Sequence, residues 1–367
     1  MIVAGNARSL IANRGALIRE VTSRGLTVGA AVPEKDYLPE VEELGIEIHK
    51  FPMARTSLNP FADLRTVRAL RRIMRATQPE AVFGYTVKPV VYGALAARLA
   101  GVKRFYAMIT GLGHAFTTFS PKTRVIRAIS TRLYRYGVAR SSRVFFQNPD
   151  DREEFIQRRI LRDPERAVLV NGSGVDTERF APHELPEGPP VFLFIGRLLT
   201  EKGVAEFVEA ARHVHARWPG ARFVAVGPHD PDLPHAVDAA EVERWKAEGV
   251  VEFVGGVKDV RGWLAASSVF VLPSYREGTP RSVLEAMSIG RPIITTDAPG
   301  CRETVEHGRN GFLVPPRDSS SLAREMEEFL EKPDLIGRMG AASRELAKDK
   351  YDVRKVNQKI LRAMELV

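Results

Sequence analysis

An α/β protein with two Rossmann-like, doubly wound parallel-sheet domains is predicted by three features of the sequence. Short β-branched and aromatic runs alternate with helical patterns along the chain, which calls for parallel strands covered by crossover helices. The alternation occurs twice, before and after a Pro- and Gly-rich stretch at residues 183–190. A length of 367 residues suits two domains, each large enough to bury its own core.

In chain order, strands are expected near 1–4, 26–32, 46–50, 81–85, 105–109 and 143–147, with helices between them such as 10–24 and 62–77. Val168-Leu169-Val170-Asn171-Gly172 reads as a further strand and turn. His183-Glu184-Leu185-Pro186-Glu187-Gly188-Pro189-Pro190 reads as a linker, because its prolines and glycine continue neither element. The second set places strands near 191–195, 222–226, 251–254, 269–272 and 292–295. Residues 319–367 read as charged helix, broken at Pro333. The expected domains are 1–170, 171–345 and a C-terminal helix, 346–367, returning to the first. Two such domains would face each other across a cleft, with ligands beyond the carboxyl ends of the strands.

Composition is that of a globular enzyme, with 44% hydrophobic and 27% charged residues. Apolar runs such as Val191–Ile195 are far shorter than the roughly 20 residues of a membrane span. Met1-Ile2-Val3-Ala4-Gly5-Asn6 lacks the features of a signal peptide. A single cysteine, Cys301, excludes an intrachain disulfide and fits a reducing cytoplasm. Residues 1–180 hold 29 Lys+Arg against 17 Asp+Glu, a net of +12, so the whole excess of the +9 chain lies in its first half. Such a field suits an anionic partner, whereas the plain alternative is a solvated arginine-rich surface.

The strongest chemical signal is Pro273-Ser274-Tyr275-Arg276-Glu277-Gly278-Thr279-Pro280-Arg281-Ser282-Val283-Leu284-Glu285. A buried strand ends, a polar loop follows, and a helix is expected with Thr279 as N-cap and Pro280 in its first position. Backbone amides and the helix dipole there form an anion site suited to phosphate. Glu277 and Glu285 bracket it, and a carboxylate beside a phosphate site suits sugar hydroxyls. In Phe194-Ile195-Gly196-Arg197-Leu198-Leu199-Thr200-Glu201-Lys202-Gly203, Arg197 and Lys202 supply two cations for a diphosphate. Two cations can stabilise a leaving nucleoside diphosphate in place of a metal ion.

These motifs, with Asn171-Gly172-Ser173-Gly174-Val175-Asp176, Val251-Glu252-Phe253-Val254-Gly255 and Asn310-Gly311-Phe312-Leu313-Val314-Pro315, closely resemble retaining GT-B glycosyltransferases of glycosyltransferase family 4 across nearly the whole chain. The resemblance implies a UDP-sugar donor and no metal. Arg197 and Lys202 would hold the diphosphate, and Glu285 the ribose. Glu277 would touch the transferred sugar, and Gly278, Thr279, Pro280, Arg281 and Ser282 would cradle sugar and phosphate. Gly196 belongs to the same nucleotide-sugar site, and backbone near Gly255 and Val257 would read the base. Glu277, Arg197 and Lys202 would carry the chemistry, with same-face attack and the leaving phosphate taking the acceptor's proton.

Tyr85-Thr86-Val87-Lys88-Pro89 and Ile109-Thr110-Gly111-Leu112-Gly113 look like bacterial enzymes acting on undecaprenyl-diphosphate-linked sugars, N-acetylgalactosaminyltransferases among them. Lys88, Thr110, Gly111, Gly113 and His114 would then lie on the acceptor side. Asn13-Arg14-Gly15 reads as the opening of the first helix. There Gly15 would let backbone approach a phosphate and Arg14 would contact donor or acceptor, with Asn13 beside them. The stretch from Phe116 to Arg143 would form a basic amphipathic helix suited to an anionic membrane surface, or an ordinary helix packed on the sheet. The expected location is the cytoplasmic face of the inner membrane.

Asp230-Pro231-Asp232 has a metal-binding spacing but sits in a Pro-rich loop of a chain that already supplies two cations, so no metal is expected. Cys301 lacks a nucleophile's setting and reads as cleft-lining or structural. The rival readings are a sugar-nucleotide epimerase of the same fold and, far below it, a protein binding anionic lipid or nucleic acid; nucleic acid is not an expected partner, because the phosphate-and-hydroxyl constellation would have no role there.

Overall fold

The computed structural model describes residues 1–53, 59–112 and 121–366. The chain forms two compact units, Met1–Ser173 with Arg354–Val367, and Gly174–Val353.

The first unit runs β1 (Ile2–Val3), α1 (Ala7–Ser23), β2 (Gly29–Pro33), β3 (Glu47–Phe51), α2 (Pro60–Thr77), β4 (Ala81–Tyr85), α3 (Val87–Ala100), β5 (Arg104–Ile109), α4 (Pro121–Val138), β6 (Arg143–Phe146), α5 (Pro149–Gln157) and β7 (Ala167–Leu169). Its strands form one parallel sheet in the order β3-β2-β1-β4-β5-β6-β7. Val3, Val82, Ala107 and Val144 pack into one core and Ala4, Phe83, Met108 and Phe145 into another. The strands alternate between them because successive side chains point to opposite faces.

The second unit runs β8 (Val191–Ile195), α6 (Val204–Arg217), β9 (Arg222–Val226), α7 (Ala239–Glu248), β10 (Val251–Gly255), α8 (Arg261–Ala265), β11 (Val269–Leu272), α9 (Arg281–Ile289), β12 (Ile293–Thr296), β13 (Gly311–Val314), α10 (Ser319–Glu331) and α11 (Asp334–Lys350). Its parallel sheet has the order β10-β9-β8-β11-β12-β13, in which β8 and β11 are neighbours although α6 to α8 separate them in sequence. The expected α/β class with two Rossmann-like sheets is therefore the observed one. The final helix, α12 (Val353–Ala363), buries Val356, Ile360 and Leu361 in the core of the first unit, and Tyr106 Oη donates to Met364 O at 2.8 Å.

Three expectations are corrected. The units divide at Ser173/Gly174 and at Val353/Arg354, not at 170/171 and 345/346. The second crossing is later because α11 continues unbroken to Lys350, and Tyr351 and Val353 stay with the second unit by pairing with Val175. The expected linker at 183–190 lies inside the second unit. Asn13, Arg14 and Gly15 do not open α1: Asn6 caps it by accepting from Ser9 N at 2.7 Å, and Gly15 packs mid-helix against Leu44. For Phe116 to Arg143 two readings stood open; residues 113–120 lie outside the described residues, and the described side chains of α4 follow the second reading. Leu133, Tyr134 and Val138 pack into the sheet's core, as in an ordinary surface helix.

Arg291 explains why 183–190 is fixed. Only 1% exposed, it donates to the carbonyls of Leu264 (3.2 Å), His183 (2.9 Å), Glu184 (2.8 Å) and Ala265 (2.9 Å). Burial lowers its pKa to about 10. A buried carbonyl left without a donor costs about 1–3 kcal/mol. Arg291→Met is therefore expected to destabilise the protein by about 3 kcal/mol and to lower the thermal midpoint by roughly 10 °C. An unchanged midpoint would show that these carbonyls find other partners.

Candidate active site

The site is built in the second unit from turns at the carboxyl ends of its strands. β8 ends at Ile195, and Gly196 donates to Val226 O at 3.0 Å, tying the turn to β9. A short 3-10 turn, Thr200–Lys202, is closed by Gly203 at φ +72°. A Cβ on Gly203 would lie 2.1 Å from Pro273 O, so the turn after β8 fits against the turn after β11 only as glycine. Tyr275 N and Ser274 Oγ donate to Glu201 O at 2.9 and 3.0 Å, locking the two turns together.

That lock brings Lys202 to Glu277. The two form an ion pair, with side chains 19% and 13% exposed, and Ser274 Oγ, whose one proton is shared with Glu201 O, lies 2.9 Å from the same carboxylate oxygen of Glu277. Glu277 is fixed through its backbone as well, because its amide donates to Pro299 O at 2.9 Å. Arg197 is exposed at the end of β8. Cys301, fully buried behind the loop with its thiol turned to Ser274 O, is structural and does not line a cleft. Burial, then the nearby Glu277 charge, push the thiol's pKa up to about 12.

α9 begins one residue later than expected. Pro280, with φ −72° and ψ 110°, is its N-cap, Arg281 is its first residue, and Thr279 is outside the helix. Pro280 itself makes no side-chain cap bond, and the amides of this first turn are directed beyond the carboxyl ends of the strands. Ser282 Oγ donates to Ile195 O at 3.1 Å, joining α9 to the end of β8. Glu285 is 6% exposed and pairs with Arg281 Nε at 2.7 Å. Burial raises its pKa against the opposing pull of Arg281. Gly255 ends β10 in the left-handed region, with open space where a side chain would be, and Val257 follows half-buried.

The structure thus gathers Gly196, Arg197, Lys202, Gly255, Val257, Glu277, Gly278, Thr279, Pro280, Arg281, Ser282 and Glu285 at one edge of one sheet. Ser274 and Gly300 were missed by sequence reasoning, although Ser274 lies within the quoted motif and a Pro-Gly pair marks the Gly300 turn. Arg179, whose charge acts on both Glu285 and Asp259, had no local signal. Asp230 and Asp232 close a turn of their own, with Asp232 N donating to Asp230 Oδ1 at 3.2 Å.

The residues expected on the acceptor side are in the first unit. Lys88, in the first turn of α3, pairs with Asp63 of α2 at 3.1 Å and stands 5.7 Å from the Tyr92 ring centre. Thr110 and Gly111 follow β5, and Asn13 is half-buried in α1. Gly113 and His114 lie outside the described residues. Arg14 is not available to a ligand in this structure. It is 1% exposed over the rings of Phe83 and Tyr85, and one guanidinium nitrogen meets Met108 Sδ. The cause is helical phase, since Leu10, Arg14, Leu17 and Ile18 share the inward face of α1.

Two parallel Rossmann-like units, one bearing this array of cations and carboxylates at its strand ends, define a GT-B glycosyltransferase. The chain belongs to the glycosyltransferase families: residues 189–332 match "Glycosyl transferases group 1", and residues 3–148 match "Glycosyl transferase 4-like". It is 27% identical over 332 residues to the N,N'-diacetylbacillosaminyl-diphospho-undecaprenol alpha-1,3-N-acetylgalactosaminyltransferase of Campylobacter jejuni, covering 87% of this chain and 86% of that enzyme. It is 27% identical over 303 residues to the UDP-Gal:alpha-D-GlcNAc-diphosphoundecaprenol alpha-1,3-galactosyltransferase of Escherichia coli, covering 79% of this chain and 75% of that one. Among solved structures, sucrose-phosphate synthase from Thermosynechococcus elongatus superposes with a TM-score of 0.83 at 17% identity, covering 100% of this chain and 98% of that one. Anabaena HepE in complex with UDP-glucose superposes with a TM-score of 0.80 at 20% identity, covering 100% and 99%. At these identities the structural likeness is one of fold.

Proposed function

We propose that this enzyme transfers a sugar, an N-acetylhexosamine, from a UDP-sugar to an undecaprenyl-diphosphate-linked saccharide with retention of anomeric configuration and without a metal ion. The observation that carries this reading is the Lys202–Glu277 pair, with Arg197 exposed at the end of β8 and the start of α9 following the loop that carries Glu277. Cations and helix amides suit the diphosphate, and carboxylates suit the hydroxyls of sugar and ribose. In support, the Campylobacter and Escherichia relatives are named for acceptors linked to diphospho-undecaprenol, and HepE holds UDP-glucose on the same fold.

In this reading Arg197 and Lys202 stabilise the leaving β-phosphate while that phosphate accepts the proton of the attacking hydroxyl on the same face of the sugar. Glu277 orients the sugar, Glu285 holds the ribose, and Lys88, Thr110 and Gly111 serve the acceptor. Because the lipid-linked acceptor is membrane-bound, the enzyme works as a peripheral protein on the cytoplasmic face of the inner membrane. Among the described residues no helix is long and apolar enough to cross it.

The test is thermal unfolding with UDP, GDP, UDP-GlcNAc, UDP-GalNAc, UDP-glucose and GDP-mannose, with EDTA and then with magnesium, followed by transfer to a diphospho-undecaprenol-linked acceptor. Stabilisation by UDP compounds alone, equal with and without magnesium, and retained configuration in the product are expected. At ligand one hundred times its Kd the gain is about 2.7 kcal/mol, which is readily measured. A magnesium requirement, or turnover of the donor without acceptor, would overturn the proposal.

A further inference from the structure

Tyr275, two residues before Glu277, reaches α6, where its hydroxyl donates to Glu206 Oε1 in the first turn of that helix. Glu206 follows Lys202 by four residues. Tyr275 therefore joins the loop of Glu277 to the segment of Lys202 twice, through this bond and through the one from its amide to Glu201 O at 2.9 Å. The other carboxylate oxygen of Glu206 is buried and takes no hydrogen bond among the described residues. The carboxylate thus depends on the phenol for a donor. Burial, then the bond to Glu206, raise the pKa of Tyr275, which keeps the hydroxyl protonated and donating.

The ring of Tyr275 is covered by the turn that follows β13. The guanidinium carbon of Arg317 stands 4.2 Å from the ring centre, a cation–π contact. The contact comes with backbone strain. Arg317 has φ +64°, in the left-handed region that side chains rarely adopt. It stands between Pro316, whose ring fixes its own φ, and Asp318, which caps α10 by accepting from Ser321 N at 2.9 Å. A glycine would make this turn without strain. Strain of this kind clusters where it serves a site. α10 packs against α6, so the turn of Arg317 and the helix that Tyr275 reaches belong to one packed layer.

We propose that Arg317 and Tyr275 are positioning residues of the donor site: the guanidinium holds the ring, and the ring and hydroxyl hold the Glu277 loop at the distance from Lys202 that diphosphate and sugar require. Both act through Lys202 and Glu277. The proposal rests on the donor-site reading above and deepens it.

Turnover, the Kd for UDP and the thermal midpoint are measured for Arg317→Ala, Arg317→Gly, Arg317→Lys, Tyr275→Leu and Tyr275→Leu/Arg317→Ala. Alanine and glycine both remove the ring contact, but only glycine relieves the backbone, so Arg317→Gly should melt roughly 3 °C above Arg317→Ala. Turnover should nevertheless fall equally in the two, on the order of ten-fold, as for a loop displaced by about half an ångström where 1 Å costs about 10²-fold. UDP should bind several-fold more weakly in both, with the KM for acceptor unchanged. Arg317→Lys keeps a cation over the ring and should retain most of the wild-type rate. In the Tyr275→Leu background Arg317→Ala should have no further effect, because both act through one ring.

Turnover that follows the midpoint, with Arg317→Gly near wild type and Arg317→Ala low, would mean a structural role only and overturn the proposal. So would wild-type turnover and UDP affinity in both variants, or additive losses in the double variant, which would place the action of Arg317 elsewhere. Absence of transfer by the wild-type protein would count against the proposed reaction, and the Kd for UDP, which needs no transfer, would then decide this inference by the same comparisons. A wild-type protein that binds no UDP would overturn both.

Discussion

Lys202→Ala is expected to lower sugar transfer by a factor on the order of 10² to 10³, the usual cost of removing one preorganised donor to a developing anion, while the protein stays folded. Lys202 is held by the close fit of Gly203 to Pro273 and by the bonds from Ser274 and Tyr275 to the preceding carbonyl. In this structure its charge is matched by Glu277. A diphosphate would therefore compete with Glu277 for the same ammonium group, and variants of the two partners separate the effects. Glu277→Gln relieves the competition, so UDP should bind at least as tightly as before while turnover falls. Lys202→Ala should weaken both. Near-normal transfer in Lys202→Ala and Glu277→Gln would remove the active-site assignment altogether.

Gly300→Ala should combine loss of stability with loss of activity. A Cβ at this position would lie 2.1 Å from Glu277 O and 2.7 Å from Gly278 O, and the backbone is at φ +83°, where alanine is strained. The obstructing atoms are main chain, so no side-chain rotation relieves the overlap. Either the turn after β12 or the loop carrying Glu277 must move. Strain and displacement together are expected to cost about 3 kcal/mol and to lower the thermal midpoint by roughly 10 °C. A shift of 1 Å in Glu277 would lower transfer about 10²-fold. The variant is checked by thermal unfolding and by initial rates of transfer at a temperature where it remains folded. Wild-type values in both would show that the loop accommodates the methyl group.

Most strands were legible because a buried parallel strand needs a short run of apolar, β-branched or aromatic residues bounded by breakers, and Val191–Ile195 and Val269–Leu272 are such runs. β13 was recognised only as a motif, since its four residues, Gly311–Val314, carry too little periodicity. The start of α1 was misread because Asn6 and Asn13 both precede helical patterns. What decides between them is the bond from Ser9 N to Asn6. Glu277, Lys202 and Arg197 were legible because each stands where a strand gives way to a turn, and such ends are where α/β sheets place ligands. Ser274 and Gly300 act by distance and fit, which spacing along the chain does not encode.

The sequence alone determined the α/β class, the number of sheets and which residues stand at the strand ends of the candidate site, because strand length, apolar burial and turn chemistry are local properties written into consecutive residues. Only the tertiary structure decided which charges meet and which faces are covered. Arg14 and Arg132 look alike in sequence, yet helical phase buries one over aromatic rings and leaves the other exposed. The apolar face of α4 could have met a membrane as readily as a sheet, since both are equally apolar; the packing of Leu133, Tyr134 and Val138 chose the sheet. The boundary between the units followed the same rule. It fell where buried contacts end, at Ser173 and Val353, and not at the Pro-rich stretch whose carbonyls Arg291 holds in place.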